Sequence, residues 1–199
     1  MKRGRDRLLT QLRPQIDDER VLEAIAAVPR DRFVPAALRR DAWENVPLPI
    51  GSEQTISQPL VVARMCELLE LRGAERILDI GTGSGYHAAV LAHLGAHVWS
   101  IERHAALSAQ AGENLAAAGI GNVTLLVGDG ARGLPVQAPF DAINVAAAAT
   151  AVPPALEEQL GAGGKLVVPV NDRLYVVERT QRGLERRALE RVRFVPLVS

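Results

Sequence analysis

The sequence predicts a doubly wound, mostly parallel α/β sheet in a single domain, and three observations carry that prediction. Short apolar runs alternate with helical segments over residues 59–170. A glycine-rich turn, "LDIGTGSGY", joins one of those runs to a helix. The chain of 199 residues is long enough to bury one core and too short for two full ones. Strand and helix in alternation imply parallel strands joined by right-handed crossovers.

In chain order, the first 45 residues look helical and polar-faced. "DDERVLEAIAAVPR" sets Val21, Leu22, Ile25 and Val28 at three- and four-residue spacing, offers an Asp cap at its start and stops at Pro29. A short helical turn, "PAALRR", and Trp43 follow. "VPLPIGSEQTIS" has two prolines, a glycine and no helical period, so an irregular loop is expected there. A helix resumes at Pro59, which suits a first turn, with Val62, Met65 and Leu69 as its apolar stripe.

"RILDIG" (76–81) then reads as a buried strand, "HAAVLAHLG" as a helix, and "HVWSIE" (97–102) as a strand. "AALSAQAGENLAAAG" is a helix closed by Gly119, and "VTLLVGD" (123–129) and "FDAINVA" (140–146) are strands. "PPALEEQLG" should be helical and "KLVVPV" a strand, and the runs around Gly183 suggest an antiparallel edge. No repeat or linker divides the chain. Residues 1–199 are therefore read as one domain, with 1–58 holding N-terminal helices and a substrate loop and 59–199 the ligand-binding core and C-terminal strands. The run "AAAAT" (146–150) suits either close packing or room for a ligand at a strand's carboxyl end.

Composition narrows the partners. Lys plus Arg (23) equals Asp plus Glu (23), so no net charge draws the protein to nucleic acid or an anionic membrane. Cys66 is the sole cysteine, which rules out an intramolecular disulfide and suits a reducing, cytoplasmic compartment. "LLTQL" is too short for a signal-peptide core, and no stretch reaches the roughly 20 apolar residues of a membrane span. His87, His93, His97 and His104 lack metal-site spacing, so no metal is expected. Met65 and Trp43 are assigned to packing.

The chemistry-bearing signal is the glycine turn. Gly81, Gly83 and Gly85 follow a strand and precede a helix, where a tight turn must let backbone approach a ligand. A dinucleotide fingerprint would need a glycine at position 86, which is Tyr86; the pattern here is D-x-G-x-G-x-G from Asp79, the form used by S-adenosylmethionine enzymes. Glu102 ends the next strand, where a carboxylate can accept hydrogen bonds from both ribose hydroxyls. Asp129, in "VGDG" after the third strand, falls where such folds meet the adenine ring.

With "RFVP", "LPIG", "QTISQP", "LDIGTGSGY", "PFDAI", "VPPALEEQLGAGGKLVVPV" and "RFVPLV" in view, the chain closely resembles the protein-L-isoaspartate O-methyltransferases over nearly its whole length. "QTISQP" is the diagnostic segment, because general methyltransferases share the glycine loop and lack it. The resemblance implies a Rossmann-like methyltransferase fold and methyl transfer from S-adenosylmethionine to the free α-carboxylate of isoaspartyl residues in damaged proteins. The ester then closes to a succinimide, whose hydrolysis returns some normal aspartate. By position-by-position matching, Ser57 falls on the active-site serine, Gln54, Thr55 and Ile56 on the substrate segment, and Pro59, Asp79, Glu102, Asp129 and Gly130 on cofactor positions. No metal is implied, the partners are isoaspartyl proteins or peptides, and a monomer is expected.

No acid, base or nucleophile is needed in "LPIGSEQTISQP", because an α-carboxyl with a pKa of about 3.5 arrives ionised. Ser57 is then a hydrogen-bond donor that positions the substrate, although a Ser shortly before a helix also suits a cap. One departure stands out: where the family has G-x-G-Q-T this chain has "GSEQT", so Glu53 replaces a glycine that would accept positive φ and adds a charge that an anionic substrate would meet. Two alternatives stay open: a related carboxyl methyltransferase acting on a dedicated peptide, and a non-catalytic homologue that keeps the cofactor fold.

Overall fold

Period-two burial along the strands sets apolar layers on opposite faces of one sheet. The computed structural model describes residues 2–198. The elements are α1 (Lys2–Leu12), α2 (Glu19–Ala27), β1 (Leu48–Gly51), β2 (Gln54–Ile56), α3 (Pro59–Leu68), β3 (Arg76–Ile80), α4 (Tyr86–Leu94), β4 (His97–Glu102), α5 (Ala105–Ala117), β5 (Val123–Val127), β6 (Phe140–Val145), α6 (Pro154–Glu158), β7 (Leu160–Val170), β8 (Arg173–Thr180) and β9 (Gly183–Arg191). On β3, Ile77 faces a layer shared with α1 to α4, and Leu78 and Ile80 face the layer that contains Leu156 of α6.

The main sheet runs in the order β5-β4-β3-β6-β7-β8-β9. Neighbours from β5 to β7 are parallel, and β8 and β9 are antiparallel. The expected doubly wound sheet with an antiparallel C-terminal edge is therefore present. Asp18 caps α2 by accepting from Arg20 N–H at 2.9 Å, and Gly119 follows α5 with φ 74°.

Three segments differ from expectation. "LPIGSEQTI" is not an irregular loop but an antiparallel hairpin, with Leu48 opposite Ile56 and Gly51 opposite Gln54. Its two-residue turn, Ser52 (φ 49°) and Glu53 (φ 57°), has the positive φ at both positions that a type I′ hairpin turn requires. Neither residue advertises that turn, and Pro47 and Pro49 hide the alternation of Leu48, Ile50 and Ile56. The expected helix "PPALEEQLG" is confined to α6, because Gln159 C=O already accepts from Phe140 N–H at 2.9 Å in the sheet. Strand β7 accordingly starts at Leu160 and absorbs "GAGG", with a bulge between Phe140 and Ala142 of its partner.

Candidate active site

Strand order reverses between β3 and β6, and the crevice beyond the carboxyl ends of the parallel strands there is where open α/β sheets hold ligands. A cavity of about 320 Å³ lies at that place, walled by residues 53–57 of the hairpin, the glycine loop, residues 101–104, Gly130, Ala146 and Ala147, and residues 195–198. That volume is at the lower end of small-molecule sites, which run from about 300 to 1,000 Å³.

The glycine loop touches two other elements. A Cβ on Gly83 (φ 53°) would stand 3.2 Å from Ile50 Cδ1 of the hairpin, and one on Gly85 (φ 89°) would stand 3.2 Å from Ala111 Cβ of α5. Glu102 is buried at 6% exposure and fastens the loop: one carboxylate oxygen accepts from Gly83 N–H at 2.9 Å, the other from His104 N–H at 3.0 Å. A carboxylate has about four acceptor sites, so both oxygens retain capacity for a diol. Glu102, Gly81, Gly83 and Gly130 all line the cavity, and a Cβ on Gly130 would run into Ile80.

The other expected cofactor positions do not form the wall itself. Asp79 is fully buried and accepts from Ser100 Oγ and Asn144 Nδ2, each at 2.7 Å. Burial pushes its carboxyl up to about 6, and the nearby Glu102 charge adds to that, against the lowering effect of the two donors. Asp129 caps the short turn Gly130–Arg132 by accepting from Ala131 N–H at 3.0 Å. Pro59 is buried in the first turn of α3, and Gly85 serves the packing of α5. None of these four side chains or positions lines the cavity.

The segment expected to meet the substrate does line it: Gln54, Thr55, Ile56 and Ser57 are all on the wall, with Glu53 at the hairpin tip. Ser57 is not the cap of α3. Gln58 is the N-cap and makes no side-chain cap bond, while Leu60 N–H is bound by Asn45 Oδ1 at 3.0 Å. The Ser57 hydroxyl is thus left for the cavity. Arg30 anchors the approach to the hairpin: its buried guanidinium donates to Ala42 C=O at 2.8 Å and Val46 C=O at 3.2 Å and lies 4.8 Å from the Tyr86 ring centroid. Burial lowers the Arg30 pKa to about 10, opposed by Tyr86.

Sequence reasoning missed the C-terminal wall. Val195 C=O accepts from Ala148 N–H at 2.8 Å and Leu197 N–H donates to Ala148 C=O at 2.7 Å, so the tail lies beside the alanine run. Within that run Ala146 and Ala147 face the cavity while Ala148 and Ala149 pair with Pro196 and Val170, so both readings of "AAAAT" hold at different residues. The small-residue run and the family segment "RFVPLV" were the signals for this contact. Tyr86, His87, Arg103 and His104 also line the cavity. Among the described residues no group of three or more His, Cys, Asp or Glu could hold a metal ion, and no helix is long and apolar enough to cross a membrane.

The family model of protein-L-isoaspartate(D-aspartate) O-methyltransferase matches residues 3–199. The chain is 55% identical over 196 residues to a protein-L-isoaspartate O-methyltransferase of Cronobacter sakazakii and 54% identical over 196 residues to one of Serratia proteamaculans, covering 96% of this chain and 94% of each relative. It superposes on a solved protein-L-isoaspartate O-methyltransferase with a TM-score of 0.88 at 28% identity, covering 98% of this chain and 66% of that longer one. A Plasmodium falciparum protein described as a protein-L-isoaspartate O-methyltransferase, solved in complex with S-adenosyl-L-homocysteine, gives a TM-score of 0.82 at 26% identity over 96% of both chains.

Proposed function

The chain belongs to the protein-L-isoaspartate(D-aspartate) O-methyltransferase family, and from that premise we propose how its residues carry the reaction. The reaction is S-adenosylmethionine-dependent methyl transfer to the α-carboxylate of L-isoaspartyl residues. The observation that carries the assignment of roles is that residues 54–57, the glycine loop and Glu102 all wall one cavity.

The residues present fit the cofactor: Glu102 offers acceptors for a ribose diol, and Gly81, Gly83 and Gly130 let the backbone form the wall. When bound, the cofactor supplies a methyl group on a cationic sulfonium. Ser57, free of capping duty, donates to the substrate carboxylate and orients it, and residues 54–56 hold the peptide on either side. The carboxylate needs no general base, so the protein's contribution is orientation and exclusion of water, which together can remove roughly 7 to 11 kcal/mol of a barrier. The hairpin and residues 195–198 both wall the cavity and serve the second of those tasks. Asp79 and Asp129 support the cofactor wall from behind.

We place the reaction in protein repair, since the methyl ester of an isoaspartyl residue cyclises to a succinimide that reopens partly to aspartate. A cytoplasmic, monomeric, single-domain enzyme is part of this reading, supported by the lone buried Cys66 and by a core that joins residues 1–58 to the sheet. Glu53 favours one second reading, a dedicated peptide substrate, because it adds an acidic residue to the wall of the cavity that would receive an anionic acceptor.

The test is labelled methyl transfer to isoaspartyl and aspartyl peptides of identical sequence. The wild type should label only the isoaspartyl form, and Ser57→Ala should lower that rate by about ten- to a hundredfold, the worth of one hydrogen bond to a charged group, with unchanged cofactor affinity. Equal labelling of both peptides overturns the reading, and a sharp gain with Glu53→Gly on generic peptides would favour the dedicated substrate.

A further inference from the structure

Three polar side chains form a row across neighbouring strands on a face that is otherwise apolar. Ser100 of β4 and Asn144 of β6 both lie in register with Asp79 of β3. All three have 0% exposure, and the same face carries Ile77, Val98 and Ala142 in the core shared with α3 and α4. Asn144 Nδ2 donates to Asp79 Oδ1 at 2.7 Å and lies 3.2 Å from His87 Nδ1, while His87 Nε2 lies 3.5 Å from Cys66 Sγ. Ser100 Oγ donates to Asp79 Oδ2 at 2.7 Å and lies 2.6 Å from Thr82 Oγ1. Thr82 and His87 line the cavity, and Asp79 immediately precedes Ile80 and Gly81, which line it as well.

A row like this is more than register marking needs, because a buried carboxylate is expensive unless donors surround it. We propose that Asn144 is a positioning residue: with Ser100 it keeps Asp79 ionised under the cavity wall, and that buried negative charge favours the cationic cofactor over its uncharged thioether product.

The chemistry of the exchange supports it. S-adenosylmethionine and S-adenosylhomocysteine differ by one methyl and one positive charge, so shape discriminates weakly and charge strongly. A fixed anion behind a low-dielectric wall acts on that difference without touching either ligand. The groups acting on Asp79 are Ser100 and Glu102 from β4, Asn144 from β6 and Cys66 from α3, with His87 of α4 on the far side of the Asn144 amide. His87 is held neutral by burial, its pKa lowered to about 3, so it accepts from Asn144 and supplies no compensating cation. The amide orientation is set in turn: an ionised Asp79 can only accept, so Asn144 presents Nδ2 to it and leaves Oδ1 buried without a partner.

The inference rests on the cofactor assignment above and is tested by binding, not turnover. Affinities for S-adenosylmethionine and S-adenosylhomocysteine are measured by calorimetry from pH 5 to pH 8 for the wild type, Asn144→Leu, Ser100→Ala, Asp79→Asn and the Asn144→Leu/Asp79→Asn double variant, each confirmed folded by circular dichroism. The wild type should prefer the cationic ligand at pH 8 and lose about tenfold of that preference on acidification, as Asp79 takes a proton. Asn144→Leu and Ser100→Ala should move the midpoint of that loss to higher pH, Asp79→Asn should abolish the pH dependence, and Asn144→Leu should add nothing on that background. A ligand preference in Asp79→Asn equal to the wild type's at pH 8, or an unmoved midpoint in both folded single-donor variants, overturns the proposal while leaving the methyltransferase assignment intact. Failure of the wild type to bind either ligand overturns both.

Discussion

Burial holds the Asp79 carboxyl up to about 6 and the His87 imidazole down to about 3, and the two shifts act on stability with opposite sign. Between its ordinary value of 3.8 and about 6, Asp79 binds a proton in the folded state that the unfolded state has released, so its contribution falls as pH rises through that window. His87 does the reverse: between 6.5 and about 3 the unfolded state takes up the proton, so its contribution is lost as pH falls. In the wild type the two slopes offset. Relative to it, His87→Gln should lose Tm as pH rises from 4 to 6, whereas Asp79→Asn should lose Tm as pH falls from 6.5 to 4; melting curves recorded across that range would show parallel profiles if the shifts were absent. Glu53 carries strain of another kind. At φ 57° a non-glycine side chain crowds its own backbone, so Glu53→Gly should stabilise the protein by about 0.5–1 kcal/mol in urea denaturation, after the greater freedom of glycine in the unfolded chain is deducted.

At the level of elements, the segment just before the hairpin caps the helix that follows it. Asn45 occupies an orphan N–H at the start of α3, a task that the sequence suggested for Ser57. Asn45→Ala should therefore cost about 1 kcal/mol of stability, and Ser57→Ala almost none, a contrast that thermal melts of the two variants would resolve. The C-terminal tail is held by its two backbone hydrogen bonds to Ala148. Removing residues 195–199 should weaken S-adenosylhomocysteine binding about tenfold with a smaller effect on Tm, because a wall is lost while only half-buried Leu197 packs against the core. Unchanged affinity in titration calorimetry would show that the tail is not part of the site.

For the molecule as a whole, residues Leu8, Leu12, Ile16, Leu22 and Ile25 of the N-terminal segment pack in the same core as Ile77, Val98 and Val167 of the sheet. The N-terminal segment therefore cannot detach from the sheet without opening that core. A single unfolding transition, coincident by far-ultraviolet dichroism and by fluorescence of Trp43 and Trp99, is expected, and two separated transitions would divide the chain into independent units. Much of this architecture was legible beforehand. Strands 76–81 and 97–102, the helix closed by Gly119 and the glycine loop follow from local period and turn chemistry, which neighbouring residues carry among themselves. The type I′ turn at Ser52 and Glu53 was not legible, because neither residue favours positive φ and the hairpin survives through Leu48 and Ile56 being buried elsewhere. The early start of β7 was hidden by glycines, since its pairing comes from Phe140, twenty residues back.

By itself, then, the sequence determined the alternation of strands and helices and the glycine loop from Asp79 to Gly85 with a carboxylate, Glu102, ending the next strand, each a matter of residue type at short spacing, and through its family resemblance it singled out Gln54 to Ser57. Only the tertiary structure decided which of these reach the cavity and which lie behind it. It set Asp79 in a buried row with Ser100 and Asn144, freed Ser57 by giving its cap to Asn45, and laid Val195 to Val198 beside an alanine run near position 148. Those outcomes depend on pairing between residues from 15 to 65 positions apart, which no local pattern encodes.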